Sequence, residues 1–261
     1  MLKHIPNTLT MLNLLSGCVG VVQISQGRFV SAAACIVLSA ILDFFDGSAA
    51  RWLKAFSSIG KDLDSLADVV SFGVLPSYML FQWLNLLTSE YILSFQDYYA
   101  YLAFLPVVSS AIRLARFNHD ETQKHSFRGL PTPAHALFWA AVFMALVYHP
   151  CLNASSDFRT ENFSPSSLAY SQTGCPLWIE LFLSPYFIIL LAFLFTWLLN
   201  APIRLFSFKF TSYKIQDNLF LYLFLLSSLI LIFWKGFASA PIILFLYLLF
   251  SVLHFRKIKN T

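Results

Sequence analysis

Charge is scarce in this chain. Asp, Glu, Lys and Arg make up 11% of its 261 residues, against roughly 25% in soluble globular domains, and 58% of the residues are hydrophobic. That deficit excludes an ordinary water-soluble fold and makes the bilayer the expected solvent. Also missing are a Gly/Ser linker, a Pro-rich tract, a long charge run and any internal repeat. A single membrane domain over residues 1–261 is therefore the expected organisation. No small-residue cleavage site follows the first apolar run, which Asn7 and Asn13 interrupt, so that run reads as a retained helix rather than a signal peptide. Cysteine is sparse, at four. Cys18 and Cys35 fall in apolar segments as small hydrophobes, which leaves Cys151 and Cys175 as the one candidate disulfide. Basic residues interleaved with aromatics in a groove-like pattern are absent, so nucleic acid is excluded as a partner.

What is present is apolar sequence of membrane-crossing length. Uncharged stretches run from Ile5 to Gly27, Val69 to Ser89, Leu181 to Ile203 and Gly236 to Phe255, each near the roughly 20 residues that span a hydrocarbon core. Weaker spans fill the gaps at about 29–48, 98–115, 132–149 and 218–234. The fold class expected is all-α: a polytopic transmembrane bundle of about eight helices. With eight crossings, one side holds fourteen of the seventeen Lys and Arg residues, and the other only Arg28, Arg159 and Lys235. The positive-inside rule then puts both termini and the 51–61 and 113–128 loops in the cytoplasm.

Between residues 43 and 68 the chain reads DFFDGSAARWLKAFSSIGKDLDSLAD. At 100° per residue, Asp43, Asp46, Gly47 and Ala50 share one helix face, and Gly60, Asp64, Asp68 and Ser71 share one face of the next. Two carboxylate stripes can therefore meet across a helical hairpin. Four carboxylates at close quarters at a membrane boundary repel one another and lose hydration, a conflict that divalent cations remove. A carboxylate-only set suits Mg²⁺ or Mn²⁺, and no His or Cys spacing nearby suggests zinc. Gly47, Ala50 and Gly60 leave the same face without bulk, and Arg51 adds a fixed positive charge suited to phosphate.

This segment, D-x-x-D-G-x-x-A-R followed after eight residues by G-x-x-x-D-x-x-x-D, resembles without departure the signature of the CDP-alcohol phosphatidyltransferase family. Flanking pieces resemble that family's phosphatidylserine synthase branch: PNTLTMLNLLSG at 6–17, DVVSFGVLPS at 68–77, RLARFN at 113–118 and FRGLPTP at 127–133. The resemblance covers about the first half of the chain. It implies a six-helix catalytic core, placed here at residues 1–200, with residues 201–261 as an additional transmembrane hairpin. It also implies a homodimer in the cell (inner) membrane, with the active site at the cytoplasmic boundary. The implied substrates are CDP-diacylglycerol and L-serine, with glycerol phosphate or inositol phosphate as alternative acceptors.

The residue roles the resemblance implies are specific. Asp43, Asp46, Asp64 and Asp68 would bind two metal ions, Asp68 would also take the proton of the attacking alcohol, and Gly47, Ala50, Arg51 and Gly60 would contact the nucleotide. Asn7, Thr8 and Asn13 would face the cytidine and ribose, with helix capping as the competing role for Asn7 and Thr8. Arg113 and Arg116, three apart, would bind either the CDP-lipid phosphates or the serine carboxylate, and Ser71 belongs to the other candidate acceptor pocket, around Ser71 to Ser77. Pro131 and Pro133 would shape the start of a helix. Two other classes fit less well. A membrane prenyltransferase would carry its aspartate motifs on well-separated helices, and a cation transporter would place ionisable residues near the midplane of matching halves.

The charge asymmetry generates the first prediction. In intact cells a membrane-impermeant thiol reagent should label Ser155→Cys and leave Lys54→Cys unlabelled. Equal labelling at the two positions would reverse or abolish the orientation.

Overall fold

The computed structural model describes residues 5–54, 58–88, 96–119, 127–149, 176–205 and 219–259. Its architecture is an all-helical bundle with one very short strand pair. In chain order the helices are α1 (Ile5–Ser25), α2 (Phe29–Trp52), α3 (Ser58–Asp68), α4 (Leu75–Thr88), α5 (Gln96–Tyr99), α6 (Leu105–His119), α7 (Thr132–Tyr148), α8 (Leu177–Leu183), α9 (Pro185–Asn200), α10 (Leu219–Lys235) and α11 (Ala240–Lys259). A π-helical segment, Val69–Val74, joins α3 to α4, so that Ile59–Leu87 forms one membrane-length rod. The expected third span begins at Val69. The helix instead starts at Ser58, because the charged segment ahead of Val69 is amphipathic and packs one face on α1 while a hydropathy window sees only its charge.

Among the described residues, Ile5–Ser25, Phe29–Trp52, Ile59–Leu87 and Ala100–His119 are each long and apolar enough to cross a membrane. Thr132–Tyr148 is a shorter apolar helix, and α8 and α9 form a pair bent by 83°. Pro185 explains the break: it opens α9 without an amide hydrogen to continue the helix before it. The apolar stretch Phe220–Leu253 is long enough for one straight rod, yet the Phe220 and Phe250 rings are 6.4 Å apart and those of Phe224 and Tyr247 5.6 Å. It is therefore an antiparallel hairpin, reversing at the 3₁₀ turn Gly236–Ser239, where Gly236 has φ +55°. The molecule is an integral membrane protein, and its surface agrees: Tyr186, Phe233 and Trp52 are each more than four-fifths exposed. Cys151 and Cys175 lie outside the described residues.

Buried aromatics hold the centre. Trp83, Phe29 and Phe143 pack at centroid separations of 5.2–5.6 Å, and the Trp83 indole N–H donates to the Phe182 carbonyl at 2.9 Å. This apolar packing ties α2, α4, α7 and α8 together while satisfying the Trp83 indole donor.

Where α1 meets α2 and the π segment, the contacts are made by small residues. Gly27, with φ +76°, turns the chain from α1 into α2. Ser16 Oγ donates to the Cys35 carbonyl at 3.0 Å and Ser39 Oγ to the Asn13 carbonyl at 3.3 Å, which are interhelical bonds of the kind that join helices in lipid. A Cβ built on Gly17 would strike Ser71 Oγ and come within 3.0 Å of Ser71 Cα, and one on Gly20 would strike the Leu75 side chain. Only glycine lets α1 lie this close to the segment that follows Asp68.

A second junction lies across the bundle. Gly129, with φ +76°, presses against the Leu199 carbonyl, where a Cβ would collide with backbone. Its N–H donates to the Ile203 carbonyl and that of Leu130 to the Leu198 carbonyl, and residues 127–128 pair antiparallel with 204–205. Pro131 then caps α7 and Pro133 sits in its first turn.

Overpacked sites cost about 1–3 kcal/mol. Gly17→Ala should therefore lower the thermal unfolding midpoint in detergent by several degrees. Gly47→Ala should leave it unchanged or raise it, since a Cβ there meets nothing within 4 Å and alanine is the better helix former. Equal midpoints for the two variants would contradict the close α1 packing.

Candidate active site

The carboxylates come from two helices that α1 holds in register. Asp43 and Asp46 project from the last turns of α2, and Asp64 and Asp68 from α3. One oxygen each from Asp43, Asp64 and Asp68 lies within 4.8 Å of the others. Asp46 sits beside this trio, near enough to act electrostatically on all three, and its Oδ2 accepts a 2.7 Å hydrogen bond from the Thr10 hydroxyl. Asp46 and Asp68 are buried, while Asp43 and Asp64 are half-buried. No basic side chain among the described residues forms an ion pair with the three grouped aspartates.

The donor set fits a hard divalent cation. Oxygens on opposite sides of an ion bonded at 2.0–2.6 Å stand about 4–5 Å apart, which is the spacing of the trio. Asp64 Oδ1 is buried and has no hydrogen-bond partner, an arrangement that costs free energy unless something positive binds there. A cation held by Asp43, Asp64 and Asp68, with Asp46 adjoining, satisfies those acceptors.

Asn13 connects the cluster to the rest of the bundle. Fully buried on α1, it donates from Nδ2 to Asp68 Oδ1 at 3.5 Å, and its carbonyl accepts the Ser71 hydroxyl at 3.0 Å. Its Oδ1 is buried without a partner. Ser71, on the π segment one turn beyond Asp68, is fully buried with its hydroxyl committed to Asn13. Short π segments inside α-helices are frequent at functional sites.

The remaining expected residues differ in exposure. Gly47 faces open space, Ala50 and Gly60 are half-buried, and Arg51 is exposed with Nη2 donating to Ser48 Oγ at 3.2 Å. Asn7 is half-buried and Thr8 exposed, both in the first turns of α1. The two arginines separate. Arg116 is exposed, whereas Arg113 is 7% exposed and donates from Nε to the Leu130 carbonyl at 2.7 Å and from Nη2 to the Gly129 carbonyl at 3.3 Å. Arg113 also interacts electrostatically with Asp68 and Tyr247.

Sequence reasoning missed two contributors. Thr10 holds Asp46, yet a threonine one turn before Asn13 carries no mark of its own except that the two share a helix face. Asn118 Nδ2 donates to Ser65 Oγ at 2.8 Å while its carbonyl accepts from Lys61 Nζ, which fastens the end of α6 to α3. Both are polar residues in apolar helices, and that is the signal that marks them.

Comparison with known proteins agrees with this geometry. The sequence model of the CDP-alcohol phosphatidyltransferase family matches residues 3–198. A CDP-diacylglycerol–serine O-phosphatidyltransferase of Helicobacter pylori (strain ATCC 700392 / 26695) is 31% identical over 250 residues, 95% of this chain and 89% of that protein. Proteins of the same name from Bacillus subtilis (strain 168) and Methanocaldococcus jannaschii are 32% and 35% identical. They align with 59% and 51% of this chain, and with 81% and 57% of their own lengths. Two facing aspartate-bearing helices, an acceptor-rich pocket that calls for a cation and a match over three quarters of the sequence lead to one assignment: the chain is an enzyme of the CDP-alcohol phosphatidyltransferase family.

Proposed function

We propose that this enzyme transfers the phosphatidyl group of CDP-diacylglycerol to the hydroxyl of L-serine, giving phosphatidylserine and CMP. The observation that carries the reading is the alignment of 95% of the chain with a relative whose name states that reaction. The serine oxygen bonds to the lipid-side phosphorus, the bridging P–O bond breaks, and CMP leaves with that bond's electron pair. The hydroxyl proton passes to a carboxylate as the new bond forms.

Asp68 is the proposed base. The Asn13 amide orients it, and the Gly17–Ser71 approach fixes the backbone around it. Mg²⁺ or Mn²⁺, as a two-ion site held by Asp43, Asp46, Asp64 and Asp68, would neutralise the charge that develops on the pyrophosphate. Gly47, Ala50 and Gly60 let the nucleotide approach the helix backbone, Arg51 meets its phosphates, and Asn7 and Thr8 lie toward the cytidine and ribose. Arg116, free at the surface one turn beyond Arg113, holds the serine carboxylate through a bidentate guanidinium. Arg113 supports it from inside with a positive field on Asp68, and Ser71 acts by positioning Asn13. The fourteen-to-three distribution of basic residues supports a cytoplasmic site in the cell (inner) membrane, and the working unit is a homodimer.

The deciding assay supplies purified protein with CDP-diacylglycerol, metal and a panel of labelled alcohols, and scores CMP release and lipid product. Serine should be the preferred acceptor, and chelation should abolish turnover until Mg²⁺ or Mn²⁺ is restored. Preference for glycerol phosphate or inositol phosphate would move the chain to another branch of the family.

Two variants test the roles. Asp68→Asn should lower kcat by a hundredfold or more while CDP-diacylglycerol still binds within about threefold of the parent affinity. A near-normal rate would place the base elsewhere. Arg116→Ala should raise the serine KM more than tenfold, since losing a charged hydrogen-bond partner costs about 2 kcal/mol, with the CDP-diacylglycerol KM little changed. The reverse pattern would assign Arg116 to the pyrophosphate.

A further inference from the structure

His135 is a buried titratable side chain for which the carboxylate chemistry has no use. It lies on α7 with no exposed surface, against the Phe195 ring at a centroid separation of 4.9 Å. The Trp139 indole N–H donates to its Nε2 at 3.1 Å. A ring nitrogen that accepts a hydrogen bond does not carry the proton, so the imidazole is neutral and its one N–H is on Nδ1. Nδ1 is buried and makes no hydrogen bond of regular geometry, a condition that is costly unless an acceptor is within reach.

The acceptor that the ring approaches is the main-chain carbonyl of Phe72, in the π segment. Phe72 lies four residues beyond Asp68. In an α-helix its carbonyl would take the amide of residue 76, but that residue is Pro76, which has none. A donor short of an acceptor thus meets a carbonyl deprived of its regular donor. The residues on either side are held by other helices: Ser71 bonds the Asn13 carbonyl of α1, and Gly73 lies against Val107 and Ser110 of α6. Among these three neighbours of the π segment, His135 is the one that addresses its main chain.

We propose that His135 is a positioning residue for the transfer reaction: its Nδ1–H holds the Phe72 carbonyl, fixes the turn of backbone that follows Asp68, and so sets where that carboxylate meets metal and alcohol. This role rests on the proposed phosphatidyl transfer and requires no contact between His135 and substrate. Trp139 supplies the complementary part, because it fixes the tautomer. A proton on Nε2 would turn the Nδ1 lone pair toward the carbonyl, and two acceptors would face each other.

Asparagine and glutamine separate the two ring nitrogens. The side-chain amide of asparagine can place an N–H where Nδ1 stands, whereas that of glutamine reaches the position of Nε2. In the full-length enzyme in mixed micelles with saturating Mn²⁺, His135→Gln should lower kcat about tenfold, as expected for one lost hydrogen bond, with the CDP-diacylglycerol KM within threefold of the parent. His135→Asn should retain kcat within threefold. A merely structural role predicts the opposite order, because asparagine leaves the larger void. Equal losses in the two variants, or losses that follow the unfolding midpoint, would overturn the inference. The parent alone supplies a second measurement, which stands even where neither variant folds. In ¹⁵N-histidine NMR the buried imidazole, recognised by slow proton exchange, should carry its proton on Nδ1, and a proton on Nε2 would overturn the inference. If the parent transfers a phosphatidyl group to no alcohol, the functional reading fails by itself, and Mn²⁺ binding decides for His135. The glutamine variant should then bind the ion about tenfold more weakly than the asparagine variant, and equal affinities would overturn the hold on Asp68.

Discussion

Crowding carboxylates into the helices of a membrane protein is the constraint around which the rest of this fold is arranged. Each of Asp43, Asp46, Asp64 and Asp68 loses hydration by burial and faces the others' like charge. Neither penalty is relieved by a basic partner in ion-pair contact among the described residues. Such a cluster persists only if its scaffold resists the repulsion and a cation satisfies it. The scaffold is α1, a helix with no acid of its own: Thr10 bonds Asp46 on one neighbour and Asn13 reaches Asp68 on the other. Gly17 and Gly20 bring the three helices close enough for those short side chains to reach. An α1 displaced by one methyl group would leave both aspartates without their partners.

Much of this was legible in the sequence, and what was not follows a physical pattern. The i, i+3 and i, i+4 spacing of the four aspartates and Gly60 put the carboxylates on two facing stripes, because helical geometry converts spacing directly into a shared face. The helical class and the C-terminal hairpin could be read from apolar run length. The start of α3 at Ser58 could not, because hydropathy averages hide an amphipathic segment. The π segment at Val69–Val74 has no residue signature, since one extra residue per turn is set by what packs on it: Asn13 on one side and α6 and α7 on the others. Asn13 was recognisable as polar in an apolar helix. Its threefold use, toward Asp68 with the amide and toward Ser71 and Ser39 with the carbonyl, is a tertiary fact.

The arginines show the same limit more sharply. Arg113 and Arg116 are three residues apart, and that spacing alone implies a common face and a common task. The structure divides them, because α6 carries Arg113 against the Gly129–Leu130 backbone and leaves Arg116 at the surface. The deciding element is Gly129, whose positive φ and contact with α9 turn two carbonyls toward the guanidinium. From sequence, Gly129 looks like an ordinary loop glycine.

This division of labour bears on how a membrane enzyme keeps a positive charge beside its carboxylates without neutralising them. A mobile lysine or arginine at this depth would swing onto Asp68 and form the ion pair that a metal ion and an incoming alcohol must replace. Arg113 is prevented from doing so because Nε and Nη2 are already committed to carbonyls of a loop that is itself bonded to the end of α9. Its charge therefore acts on Asp68 as a field rather than as a contact. The same loop is continuous with the two-residue strand pair at 204–205, which packs against α11, and the buried Tyr247 of α11 interacts electrostatically with the guanidinium. A displacement of the hairpin would thus be felt first at Arg113, through the carbonyls that fix it, and only then at Asp68. That order gives the C-terminal hairpin a mechanical route to the carboxylate cluster without supplying a single group to it.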